Sequence, residues 1–175
     1  MATTYTLIDS EVLSSSAASI TFSAIPATYT DLVLRYSART TEAGPNELII
    51  YTLNGNTGSN YSTTTLIGNA STAVSNRTTS AANIRAGWQD GDTATSNTFG
   101  SAEIYIPSYT VSQNKPTGNF SVAENNSAGT ADTYINTNAG LFRITDAITS
   151  ITLTPINGTN FKSGSSFYLY GISNA

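Results

Sequence analysis

Residues 19–40 read SITFSAIPATYTDLVLRYSART, and this stretch decides the fold. Ile20, Phe22 and Ala24 alternate with Ser19, Thr21 and Ser23. Past the bend, Leu32, Leu34, Tyr36 and Ala38 share one phase, with Val33, Arg35 and Ser37 in the other. A period of two sends successive side chains to opposite faces of a strand, so each segment predicts a half-buried antiparallel strand. Pro26 falls in the connection, where its missing N–H costs no ladder bond. The segments Ser19–Ile25 and Asp31–Arg39 are expected to be paired strands joined by this bend.

Outward from there the same signature recurs at Tyr5–Val12, Ser101–Pro107, Asn119–Glu124, Ile148–Pro155 and Ser166–Ile172. Short strands are expected at Thr133–Thr137 and Gly140–Ile144. Leu48–Leu53 (LIIYTL) is a continuous apolar run, the pattern of a strand buried on both faces. Turn signals separate these runs: Gly44-Pro45, Asn54-Gly55, the stretches 112–118 and 124–133, and Asn157-Gly158. No segment repeats apolar residues at i, i+3, i+4 and i+7. The chain is therefore read as all-β, an antiparallel two-sheet β-sandwich that is jelly-roll-like, with little or no helix.

A length of 175 residues fits one domain over residues 1–175. Residues 62–98 carry few large apolar side chains. They are expected to form a long, loop-rich insertion with one short strand around Ile84–Trp88 and loops that contact a neighbouring subunit.

Composition narrows the chemistry. There is no Cys and no His, which removes disulfides, thiolate metal sites and the commonest general base together. Charged residues make up 10% of the chain, with a net charge of −4. The seven basic residues form no cluster, so nucleic acid is not expected as a partner. No apolar run approaches the roughly 18 residues of a membrane span. The N-terminus shows no secretory signal.

Candidate sites are few. Asp90 and Asp92, as Asp-Gly-Asp, suggest a Ca²⁺ loop, but the distal Glu of an EF-hand is missing, and an ordinary turn is the better reading. Glu42, Glu47, Glu103, Glu124, Asp132 and Asp146 form no recognisable carboxylate pair. No nucleophile elbow or phosphate loop is present. No catalytic residue, metal or cofactor is expected, and the chain is read as a non-enzyme. Trp88 has two readings: an interface anchor or sugar-stacking platform, or a cover for one end of the core. Tyr105, Tyr109 and Tyr168 complete the set of interface candidates, and an external patch at Tyr105 or Tyr168 suits a glycan.

Four segments carry a resemblance: IPATYTDLVLRYSAR (25–39), LNGNTGSNY (53–61), IYIPSYT (104–110) and FKSGSSFYLYGI (161–172). Together they resemble small jelly-roll virion proteins of tailed bacteriophages of aquatic bacteria, cyanophages especially. The likeness spans residues 5–172 and is most specific in its opening and closing segments. Pro26, Tyr29, Asn54, Gly55, Tyr61, Gly164, Tyr170 and Gly171 stand at motif positions, which implies structural roles; Tyr61 is expected to pin the turn at 54–60. The resemblance implies a capsid decoration (cement) protein, made in the host cytoplasm and bound to the outer capsid surface of the virion. Its partners would be the major capsid protein, whose subunits it bridges, and two further copies of itself in a homotrimer. The alternative implied is a tail- or fibre-associated module that binds a receptor or a host-surface glycan.

Overall fold

Alternating β-branched and aromatic residues build this chain into strands. The structure, a computed structural model, describes residues 4–126 and 133–173, and these residues contain twelve strands and no helix. One sheet has eight strands in the order β1 (Tyr5–Val12), β12 (Ser166–Ile172), β3 (Asp31–Ala38), β8 (Gly100–Ile106), β9 (Lys115–Ala123), β10 (Tyr134–Phe142), β5 (Tyr61–Gly68) and β6 (Ala73–Ala81). The other has four: β2 (Ile20–Phe22), β11 (Ile151–Pro155), β4 (Asn46–Leu53) and β7 (Ile84–Asp90). Neighbouring strands are antiparallel throughout, and the two sheets face each other as a β-sandwich.

The core lies between the small sheet and the first four strands of the large one. Leu32, Leu34, Tyr36, Ile104, Phe167 and Leu169 meet Phe22, Ile49, Tyr51, Leu53 and Leu153 there, all buried. Tyr36 stacks on Phe167 at 5.6 Å, and Phe161 meets the same ring edge-on at 5.0 Å.

Five expectations need correction. The two alternating segments of residues 19–40 are not paired with each other. β2 pairs with β11, and β3 lies between β12 and β8. Residues 23–30 carry the chain across the roughly 10 Å between packed sheets, a span that a tight hairpin would not cross. Residues 62–98 are not loop-rich, since β5, β6 and β7 occupy most of them. β5 buries Tyr61, Thr63 and Thr65 where an aliphatic strand would show its pattern. β6 has no inward face to advertise, because it lies at the sheet edge and is exposed or half-buried along its whole length.

The two short strands expected at 133–144 are one strand, β10, and residues 115–118, expected in a loop, begin β9. Leu48–Leu53 is fully buried on only one face, with Ile50 and Thr52 half-buried on the other. The expected turn at 124–133 falls largely outside the described residues.

Candidate binding surface

The motif positions gather at the two ends of the sandwich. At one end, Tyr29 lays its ring against Gly171, where a Cβ has no room. The Tyr109 hydroxyl donates to the Pro26 carbonyl and accepts from the Tyr29 N–H at 3.4 Å. Tyr109 is thus corrected from a surface candidate to a wholly buried residue that ties the 107–111 turn to the Pro26 bend. Asp31 accepts from the Ser108 N–H and the Tyr105 hydroxyl, each at 2.8 Å.

Asn54 and Gly55 turn the chain with φ of 54° and 62°, the left-handed pair that Asn-Gly favours. Asn54 Oδ1 then accepts from Thr149 N at 2.8 Å, and its amide donates to the Ala147 carbonyl at 2.8 Å. The Tyr61 hydroxyl accepts from Leu53 N at 3.0 Å and donates to the Asn56 carbonyl at 2.9 Å. Its ring stacks on Phe142 at 4.7 Å. The hydroxyl holds the turn while the ring belongs to the core.

At the other end, Gly164 (φ 91°) donates to the Leu13 carbonyl at 2.8 Å. Arg39 is the residue that sequence reading missed here. Its guanidinium is buried and donates to four carbonyls: Thr95 at 2.8 Å, Ala94 at 2.8 Å, Asp92 at 3.1 Å and Thr98 at 3.2 Å. Glu47 does the converse job, accepting from Asn157 N at 2.9 Å and from the Thr159 hydroxyl. The available signal was phase: Glu47 shares the inward register of Ile49, Tyr51 and Leu53.

The two carboxyls of Asp-Gly-Asp serve different ends. Asp92 pairs with Lys162, which holds its pKa below the usual range. Asp90 is buried, which pushes its pKa up against the opposing hydrogen bond from Asn125. Among the described residues no group of three Asp or Glu is placed to hold a metal ion.

Trp88 stacks on Tyr134 at 4.9 Å, joining β7 of the small sheet to β10 of the large one across the gap between the sheets. It is half-buried. Tyr105 and Tyr168 lie elsewhere, on the outer face of the large sheet. Among the described residues nothing is packed over that face, and the strand registers arrange it in rows. One row runs Ser166, Ser37, Ser101, Val122, Ile135 across β12, β3, β8, β9 and β10. The next runs Tyr168, Arg35, Glu103, Phe120, Thr137 and reaches Leu66 on β5. Arg35 Nε donates to Glu103 Oε2 at 2.7 Å, and its guanidinium lies 5.5 Å from the centre of the Tyr5 ring. The bond to Glu103 raises the Arg35 pKa against a small opposing cost of burial.

Two shallow hollows open on this face. One, of about 360 Å³, is floored by Arg35, Ser37, Ser101 and Glu103 with Tyr168 and Phe120 beside them. The second, of about 430 Å³, is lined by Leu66, Ala73, Phe120, Ile135 and Thr137. In the strand expected at Asn119–Glu124, Asn119 and Ser121 are buried and Phe120 is exposed. β7 packs tightly against this inward face: a Cβ on Gly87 would collide with Ser121 and the Asn136 amide.

No family model, curated protein or solved structure matches this chain.

Proposed function

We propose that this protein is a non-enzymatic decoration protein on the outer capsid surface of a tailed phage, bridging major capsid subunits as a homotrimer. The observation that carries this reading is the uncovered apolar patch of Leu66, Phe120 and Ile135, which are 54%, 47% and 54% exposed. They sit on the outer face of β9, β10 and β5, with no charged side chain among the described residues lining the hollow between them. Burying a large apolar side chain is worth roughly 1.5–3 kcal/mol. Three half-exposed ones give a modest gain per copy, which the symmetry of a shell multiplies. Contiguous apolar surface of this kind marks association rather than solubility.

Strand order supports the jelly-roll reading behind the proposal. With the β5–β6 and β9–β10 hairpins set aside, β1-β12-β3-β8 faces β2-β11-β4-β7. The chain then passes between sheets at every connection except β4 to β7, the double Greek-key winding of a jelly roll. The two hairpins are insertions that lie side by side, β10 pairing with β5, and their outer face carries the patch. The motif resemblance points the same way.

The test is particle stability. Shells lacking this protein are expected to assemble but release their contents at a lower temperature. Adding back the wild-type chain restores the release temperature, and adding the Leu66→Glu/Ile135→Glu chain does not. Identical release curves with and without the protein rule the function out.

A further inference from the structure

We propose that the outer face of β12, β3, β8 and β9 is a binding site for a short, neutral oligosaccharide, adjoining the apolar patch that serves docking and sharing only Phe120 with it. Tyr168 on β12 and Phe120 on β9 stand in one row, with Arg35 and Glu103 between them. Three strand spacings separate the two rings, about 14 Å at roughly 4.8 Å each. That is the length of a short oligosaccharide lying across the strands. The hollow between them holds about 360 Å³, within the range of small-ligand sites.

The chemistry of the floor suits a sugar. A pyranose ring offers C–H groups on its faces and hydroxyls around its rim. Aromatic rings present a negative π-face to such C–H groups. Hydroxyls need donors and acceptors side by side. Arg35 supplies donors, Glu103 acceptors, and the adjacent row of Ser166, Ser37 and Ser101 supplies both. Among the described residues, the hydroxyls of these three serines have no hydrogen-bond partner within the chain.

Charge selects the class of ligand. Arg35 and Glu103 neutralise each other at 2.7 Å, so the floor carries no net charge to reward a phosphate, sulfate or sialic acid. Arg35 is also held in place, by Glu103 on one side and the Tyr5 ring on the other. A side chain already ordered loses less entropy when a ligand arrives. Both members of the pair remain about half exposed, at 54% and 43%, so they are available for contact. Tyr105, whose hydroxyl is engaged by Asp31, borders the site but does not supply a free polar group.

The experiment is ligand-observed saturation-transfer NMR on the full chain. The probes are cellotriose, maltotriose, laminaritriose and triacetylchitotriose, with 3′-sialyllactose as the charged control. At least one neutral trisaccharide is expected to bind, and more strongly than sialyllactose. Tyr168→Ala and Glu103→Gln are each expected to weaken that binding by about tenfold or more, equal to about 1.4 kcal/mol. Ser101→Gln, at an exposed position whose longer side chain fills the hollow, is expected to abolish binding while the melting temperature stays at the wild-type value. Leu66→Glu/Ile135→Glu is expected to bind sugar normally while failing to dock, which separates this site from the proposed capsid contact. The inference is overturned if no neutral trisaccharide binds, if sialyllactose is preferred, or if binding survives in a folded Ser101→Gln chain.

Discussion

The two halves of the large sheet face inward with opposite chemistry. Under β12, β3 and β8 the inward side chains are Leu, Ile, Tyr and Phe. Under β9, β10 and β5, beyond the Tyr61–Phe142 stack at one end, they are Thr117, Asn119, Ser121, Asn136, Asn138, Thr63 and Thr65, buried just as deeply. The backbone alternation is the same in both. What differs is how the interior is paid for. The apolar half gains from surface removed from water. The polar half must pair each buried group, because an unmet donor or acceptor costs about 1–3 kcal/mol.

Most of that pairing is done by the small sheet. The Tyr51 hydroxyl donates to Asn119 Oδ1 at 3.2 Å and lies 2.7 Å from Thr117 Oγ1. The Asn119 amide donates to the Arg85 carbonyl at 2.9 Å. Trp88 N donates to Asn136 Oδ1 at 3.3 Å, which also accepts from the Ser121 hydroxyl. β7 comes close enough for this because it is bulged against β4 and carries Gly87 at φ 126°. A layer of amides and hydroxyls thus takes the place of an apolar core, and the comparison teaches that burial, not hydrophobicity, is what the two halves share.

The comparison is broken most forcefully in the apolar half. Leu34→Ala leaves a cavity in a fully buried site and is expected to cost about 3 kcal/mol in urea unfolding. A loss below 1 kcal/mol would mean that the apolar half is loosely packed. In the polar half, Asn138 has both amide atoms buried without a partner among the described residues. Asn138→Leu, of similar shape, is expected to stabilise the fold by about 1 kcal/mol. Destabilisation would show that Asn138 is satisfied in solution, and the polar half complete.

The smallest effect concerns Asp90, which is buried at the end of β7 with Oδ2 unpaired among the described residues. Burial raises its pKa above the ordinary 3.8. The folded state therefore holds the proton more tightly than the unfolded chain. The stability this contributes is full below the unfolded pKa and is lost as pH rises through the folded one. Asp90→Asn is expected to remove that loss. The variant should melt higher than wild type at pH 7 and with a flatter slope from pH 4 upward, measured by thermal denaturation. A parallel pair of melting curves would place the pH dependence elsewhere.

Legibility followed this same division. β3, β8 and β12 could be read directly, because inward Leu32, Leu34, Ile104, Phe167 and Leu169 alternate with polar neighbours. β5 could not, because its inward Thr63 and Thr65 look like surface, and β9 was expected only from Asn119 onward, its first residues being read as a loop. Phe120 and Leu66 are the complementary case, apolar residues on an open face. Among the surface candidates, Tyr105 and Tyr168 lie on the outer face, whereas Trp88 joins the two sheets and Tyr109 is core. Arg35 and Glu103 gave no signal as single residues far apart in sequence; only the register of β3 against β8 makes them a pair.

The sequence by itself determined the strands of the apolar half and the Asn-Gly turn at 54–55. These depend on local sterics and on a period-two pattern that survives without context. Tertiary structure alone decided which sheet each strand joined, that β9 turns Phe120 outward, and that serines, an ion pair and two aromatics share one face. Those outcomes depend on cross-strand register and on the close approach of Gly87, long-range relations that the order of residues along the chain does not display.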